Sequence, residues 1–225
     1  MSTLVFWIDV DNTLLNNDEV KKAQENVLQV ALGPMLTQRY WDTYEAVRKD
    51  EGLVDIPQTL ERFRAEVPST EMDDFTYQHV KSVFENYPFP QNLYPQALET
   101  LRYLGTLGTT VIVSDGDLYY QAEKIFESDI AFTVEGRVLL YVHKQQHLKE
   151  IEQKYPADHV VSIDDKPTIL ADIKGLLGAK STTVFVRQGK YAQEAFPEGF
   201  TPDITVDHIA DLQHVSKSRF LGTGE

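Results

Sequence analysis

The segment Leu4-Val5-Phe6-Trp7-Ile8 is apolar at five successive positions and then breaks into Asp9-Val10-Asp11-Asn12-Thr13. An extended run without polar alternation has no face to offer to water, so it reads as a strand covered on both sides. Asp9 and Asp11 then fall where this strand emerges at the edge of a sheet. Two carboxylates that close together repel each other. The repulsion makes sense beside a divalent cation, or where one carboxylate is a nucleophile and the other a proton donor. An acidic turn chosen for its geometry would account for the same residues, but the rest of the chain supplies matching parts.

Further short apolar runs at 110–113, 138–142, 159–163 and 182–186, with a weaker one at 203–206, are rich in Val, Ile or Thr. Helical patterns at 94–107, 118–127, 145–154 and 167–176 lie between several of them. Strands alternating with helices imply βαβ units, so the expected fold class is α/β, a Rossmann-like, doubly wound parallel sheet. The stretch 16–90 differs in kind. It shows helical periodicity at 18–31, 37–49, 57–65 and 71–85, punctuated by Gly33-Pro34, Gly52, Pro57, Pro68 and Pro88-Phe89-Pro90. We therefore expect a catalytic core of residues 1–15 and 91–225, interrupted by an all-helical cap of residues 16–90. Tyr40, Trp41 and Tyr44 cluster on one insert helix, where they either pack the insert's own interior or face a substrate.

Composition narrows the function. A chain of 225 residues with 42% hydrophobic residues is long enough for a core plus an insert. Its net charge of -14 leaves no wide basic stripe, which argues against a nucleic-acid partner. Cysteine is absent, excluding disulfides and thiolate metal sites. No stretch reaches the apolar length of a membrane span, and the first strand begins too early for a signal peptide; a cytoplasmic protein is expected. Nothing in the sequence chooses between monomer and homodimer.

Open α/β sheets bind ligands beyond the carboxyl ends of their strands. The first strand ends in Asp9 and Asp11, the second in Ser114 followed by Asp115-Gly116-Asp117, the third leads to Lys144, and the fourth ends in Asp164-Asp165. Taken singly, Ser114 could cap a helix, Lys144 could be a solvated lysine and Asp165 could be an N-cap. Gathered at one sheet edge from segments remote in sequence, they form a candidate site. His143 and His147, four apart, could also share a helix face, but no third nitrogen ligand accompanies them. Arg187-Gln188-Gly189-Lys190-Tyr191 follows another strand at the same edge, either as the rim of a site or as a plain surface loop.

With these residues in place the chain resembles the haloacid dehalogenase-like hydrolase superfamily, in its subclass with a helical cap between the first two motifs. Asp9-Val10-Asp11-Asn12-Thr13 matches the family's Asp-x-Asp-x-Thr, Ser114 its second motif, Lys144 its third and Asp164-Asp165 its fourth. Gln145 stands where a proline commonly follows the lysine. The resemblance implies an enzyme in which Asp9 attacks a phosphoryl group and Asp11 serves as acid and then base. Asn12, Thr13, Ser114, Asp115, Gly116 and Lys144 would surround the phosphoryl group. Mg²⁺ would sit between Asp9, the backbone carbonyl of Asp11, and Asp164 or Asp165. Because Asp11 supplies a proton that a halide leaving group does not need, the implied reaction is phosphate ester hydrolysis on a small phosphorylated metabolite. A phosphosugar mutase and a non-catalytic binding protein are the alternatives on the same fold.

Overall fold

The computed structural model describes residues 3–116 and 118–223. Six strands form one sheet: β1 (Leu4–Ile8), β2 (Thr109–Asp115), β3 (Val138–Tyr141), β4 (His159–Asp164), β5 (Ser181–Val186) and β6 (Ile204–Val206). Their order is β3-β2-β1-β4-β5-β6 and every pair is parallel. Strand β1 is central, as its uninterrupted hydrophobicity requires. Successive side chains point to opposite faces: Phe6 and Ile8 join one hydrophobic cluster, Val5 and Trp7 the other. The chain winds outward in both directions from β1, so its switch point lies between β1 and β4, where crevices open at strand ends.

The second half of the chain alternates strands with helices. α4 (Ala97–Leu107) follows the insert, and α5 (Tyr120–Glu127) and α6 (Ile130–Thr133) lie between β2 and β3. α7 (Leu148–Lys154) and α8 (Pro167–Leu177) flank β4, and α9 (Lys217–Phe220) closes the chain. Leu148 and Ile151 of α7, with Ile169 and Ile173 of α8, cover Val5 and Trp7. Leu101 and Leu104 of α4, with Phe220, cover Phe6 and Ile8. The two-sided cover inferred from Leu4–Ile8 is thus supplied by different helices on each face. The stretch expected to be helical from 145 is first a 3-10 turn at Lys144–Gln146 and becomes α-helix only at Leu148.

Between β1 and β2 lie α1 (Asn17–Glu51), α2 (Ile56–Glu66) and α3 (Asp74–Glu85), with no strand among them. The two helices expected at 18–31 and 37–49 are the arms of α1, broken at Gly33, whose φ of 72° and ψ of 172° leave the helical region just before Pro34. Asn16 starts the helix by accepting from the Glu19 amide, and Gly52 ends it in a left-handed conformation.

Tyr40 of α1 is completely buried, stacked on Phe84 and edge-on to Phe63 and Trp41. Phe84 in turn meets Tyr120 of α5, so the helical segment and the sheet share one continuous hydrophobic cluster. The Tyr40 hydroxyl has no hydrogen-bond partner among the described residues. A buried, unsatisfied hydroxyl costs about 1–3 kcal/mol, whereas losing the ring leaves a cavity costing about 3–5 kcal/mol. Tyr40→Phe is therefore expected to leave stability unchanged or raised, and Tyr40→Ala to lower it severely; urea denaturation of both variants checks this. A Tyr40→Phe variant clearly less stable than the parent would show that the hydroxyl has a role.

Candidate active site

Asp9 extends the pairing of β1 by one residue, its amide donating to the Ile163 carbonyl of β4 at 3.0 Å. The chain then turns sharply, with the Leu14 and Leu15 amides both returning to the Val10 carbonyl. Asn12 takes a positive φ of 62° in this turn, a conformation Asn tolerates better than most residues. Its side chain exchanges two hydrogen bonds with Asp18, both 3.2 Å, which tie the turn to the first residues of α1. Gly189 packs so closely that a Cβ there would lie 2.4 Å from the Asn12 Cβ. Asn12 thus shapes the loop and its side chain is already engaged.

Asp9, Asp164 and Asp165 offer oxygens within 4.8 Å of one another, and all three are buried. Lys144 is buried against them, its Nζ 2.5 Å from Asp9 Oδ1 and 2.7 Å from Asp164 Oδ2, with a third bond of 3.1 Å to the Val113 carbonyl. The Lys144 amide donates to Asp115 Oδ1 at 2.7 Å, which fastens the loop after β3 to the end of β2. This aim does not require a proline at position 145. Asp164 Oδ1 accepts from the Lys166 amide at 2.9 Å. Among the described residues, both oxygens of Asp165, and Oδ2 of Asp9, have no partner. Asp165 does not cap α8, whose N-cap is Lys166.

Burial and the neighbouring carboxylates push Asp165 up to about 9. Burial also raises Asp9, against the pull of Lys144, to about 6. Burial works against the Lys144 ammonium, but Asp164 and Asp9 overcome it and hold it protonated. Three buried carboxylates, with unpartnered oxygens on Asp9 and Asp165, fit a hard divalent cation such as Mg²⁺, which takes oxygen ligands.

Asp11 has a separate partner. Lys124 of α5, almost completely buried, reaches Asp11 Oδ1 at 2.8 Å and Asn17 Oδ1 at 3.0 Å. Burial alone would raise the Asp11 carboxyl, but Lys124 more than offsets it and holds it below its ordinary value. Ser114 lies within β2 rather than capping a helix, and its Oγ accepts from Gln121 Nε2 at 3.0 Å. The Thr13 hydroxyl is buried without a partner among the described residues.

A cleft of about 220 Å³ opens between the strand ends and the helical segment. Asp11, Asn12, Asp115, Gly116, Lys124 and Lys166 border it from the core, and Lys21, Gln24, Trp41, Tyr44 and Arg48 from α1. Asp9, Lys144 and Asp164 do not line it; they border a void of about 10 Å³ with Trp7 and Ser162. The aromatic group of the insert therefore divides: Tyr40 packs the interior, while Trp41 and Tyr44 face the cleft. Lys190 and Tyr191 also line the cleft, whereas Arg187 pairs with Asp207 at the exposed surface. His147 stacks on Tyr141 and pairs with Glu150, and neither it nor His143 joins the carboxylate cluster. Asp117 lies outside the described residues.

Sequence reasoning missed Lys124, Gln121 and Gln24. The signal was present in α5, where Gln121 and Lys124 are spaced three apart on the side that also carries the buried Tyr120 and Ile125. Polar residues on the inward face of a short amphipathic helix require partners.

No protein-family model and no curated protein matches. A protein from Burkholderia xenovorans described as a haloacid dehalogenase-like hydrolase is 39% identical, over 97% of this chain and 99% of that one, with a TM-score of 0.86. The chain belongs to the haloacid dehalogenase-like hydrolase family. More distant members share the fold. The magnesium-bound hydrolase YfnB of Bacillus subtilis, 14% identical over 95% of this chain and 98% of that one, superposes with a TM-score of 0.60. The L-2-haloacid dehalogenase of Xanthobacter autotrophicus, 17% identical over the same shares, reaches 0.56.

The family's acidic corner makes a sharp expectation for the metal-free protein. Asp165 and Asp9 hold protons in the folded state to higher pH than in the unfolded chain, where both titrate near 3.8. Between those values the folded state binds more protons, so stability falls as pH rises, from about 4 to about 6 for Asp9 and on to about 9 for Asp165. In EDTA at pH 8, Asp165→Asn is therefore expected to melt higher than the parent. Saturating Mg²⁺ should raise the melting temperature of the parent, by about 2.7 kcal/mol of stability at a hundred times Kd, and much less that of Asp165→Asn. A variant less stable in EDTA, with an undiminished Mg²⁺ response, would contradict the geometry.

Proposed function

We propose that this hydrolase is a phosphatase acting on a small phosphorylated metabolite through an aspartyl-phosphate on Asp9. The observation that carries the reading is Asp11: two residues after the buried Asp9, a second carboxylate faces the cleft with its own lysine. A leaving alkoxide needs a proton and a halide does not, so this carboxylate has work in phosphate ester cleavage.

Lys144 fixes Oδ1 of Asp9, leaving Oδ2 as the oxygen to form the bond to phosphorus. In-line attack breaks the ester bond, and Asp11 delivers its proton to the leaving oxygen. Held ionised by Lys124, Asp11 acquires that proton when the negative phosphoryl group arrives beside it, since a like charge favours the neutral form. In the second half, Asp11 as a carboxylate takes a proton from water, which attacks phosphorus and frees Asp9. The Ser114 hydroxyl is suited to donate to a phosphoryl oxygen, and the Lys144 ammonium, whose three hydrogens are engaged, supplies positive charge beside the reacting group. Asp9, Asp164, Asp165 and the Asp11 carbonyl would hold Mg²⁺, which supplies charge to offset the repulsion between carboxylate and phosphate.

Asp9 is buried and does not line the cleft, so on this reading substrate reaches it only when the lining rearranges. We read the helical segment as a mobile cap that opens for entry and closes to keep bulk water from the intermediate. YfnB, whose magnesium-bound structure is described as revealing interdomain movement, offers a parallel.

The test is a hydrolysis screen over phosphorylated sugars, small acids and nucleotides, with and without Mg²⁺, alongside a 2-haloacid. Free phosphate in the presence of Mg²⁺ is expected. Asp9→Asn should remove activity by several orders of magnitude, and Asp11→Asn should lower kcat by about a hundredfold or more. Retention of a tenth of parental turnover by Asp9→Asn, or halide release in place of phosphate, would overturn the reading. An isomerised product would instead identify a mutase.

A further inference from the structure

We propose that the cleft carries a second anion subsite, built from Lys21, Arg48 and Lys190, and that the substrate is a small phosphate ester whose leaving group bears its own carboxylate or second phosphate. This rests on the phosphatase reading and narrows its substrate class.

The chain as a whole is acidic, with 35 acidic residues to 21 basic ones. Its cleft is the reverse. Lys21, Arg48, Lys124, Lys166 and Lys190 line it, against two carboxylates among the described residues, Asp11 and Asp115. Both carboxylates are committed: Asp11 to Lys124, and Asp115 to the Lys144 amide. Lys166 stands beside Asp9, Asp164 and Asp165, which act on its charge. Three cations are left over.

Those three lie together. Lys21 feels both Lys190 and Arg48 as like charges, and its polar contact is a neutral one, a 2.9 Å bond to the Tyr44 hydroxyl. Burial first, and then Lys190 and Arg48, lower its pKa, and the opposing pull of Asp11 and Glu45 does not make up the loss. Among the described residues neither Lys21 nor Lys190 forms an ion pair, and Arg48 meets only Glu45, an exposed neighbour one turn away. A cluster of cations that the fold neutralises only in part, walled by Tyr44 and Trp41, is complementary to an anion, and charge-assisted bonds to it are the strong ones.

Chain topology explains how the cluster forms. The two arms of α1 fold back at Gly33, bringing Lys21 of the first beside Arg48 of the second, and Lys190 comes from the loop after β5. The subsite is complete only while the helical segment is seated on the core. Its size also restricts the ligand: about 220 Å³ is below the roughly 300–1,000 Å³ of sites for drug-sized molecules.

A matched pair of substrates tests this. Glycerol 3-phosphate and 3-phosphoglycerate share a skeleton and differ in a hydroxymethyl against a carboxylate; propane-1,3-diol bisphosphate adds the phosphate arm. The parent enzyme should prefer an anionic tail by about tenfold or more in kcat/KM, and the better of the two anionic compounds tells which anion is read. Arg48→Gln, whose side chain is half exposed and tolerates change, and Lys21→Gln/Arg48→Gln should collapse that preference, mainly through KM. Equal use of all three by the parent, or a preference kept intact in both variants, would overturn the subsite. If no phosphate ester is hydrolysed, the phosphatase reading fails on its own, and calorimetric titration with succinate then decides: binding lost in the double variant supports the subsite, and no binding to the parent rejects it.

Discussion

Three buried carboxylates meet one ammonium at the centre of this molecule, and the arrangement of the sheet follows from what that meeting requires. Ile8 pairs with Ile163 across parallel neighbours β1 and β4, so Asp9 leaves the sheet beside Asp164 and Asp165. Alone, such carboxylates would take up protons rather than stay charged in a dry corner. Lys144 offsets part of that cost, but only because its loop is held at the end of β2 by Asp115 and its third hydrogen is taken by the Val113 carbonyl. Four strand ends thus act as one unit. Displacing any of them would leave a buried charge unpaired, which costs more than the intact pair contributes.

The same corner explains why the helical segment sits where it does. On the proposed reading, a carboxylate that attacks phosphorus is best kept from water, and Asp9 is nearly inaccessible behind the lining of the cleft. The cleft exists because α1 spans it with two arms, one carrying Lys21 and Gln24, the other Trp41, Tyr44 and Arg48. Tyr40 faces the opposite way and anchors the segment through Phe63 and Phe84. Adjacent positions on one helix therefore divide between holding the segment together and presenting it to a ligand.

This division also marks what could be read in the sequence. The strands were legible because burial on both faces leaves apolar runs, and Asp9, Asp11, Asp164 and Asp165 were legible because carboxylates interrupt those runs abruptly. Lys144 was legible by position alone, since no local pattern says that a lysine in a 3-10 turn reaches back to β1. Lys124 was not, because its partner Asp11 is 113 residues away and α5 shows only a polar residue on an inward face. Asn12 reads equally well as a ligand or as a turn residue; its positive φ and its bonds to Asp18 belong to the loop. The choice between rim and surface for Arg187 to Tyr191 depends on where Gly189 meets Asn12, a contact no periodicity encodes.

Asp9 and Asp11 are two residues apart yet differ in electrostatic surroundings, a difference that suits the two roles proposed for them. Asp11 has Lys124 almost to itself and is kept ionised. Asp9 shares Lys144 with Asp164 and is lifted by burial to about 6, so near neutrality part of its charge is still contested by a proton. Pushing neighbouring carboxyls apart in this way is how a site assigns a nucleophile and an acid-base group. A divalent cation held by Asp9, Asp164 and Asp165 would act on the contested carboxylate far more than on the one that already has a dedicated counter-charge. On the proposed reading, the readiness of the nucleophile would then depend on metal, while the protonation of Asp11 would be set by Lys124 and by the arriving phosphoryl group.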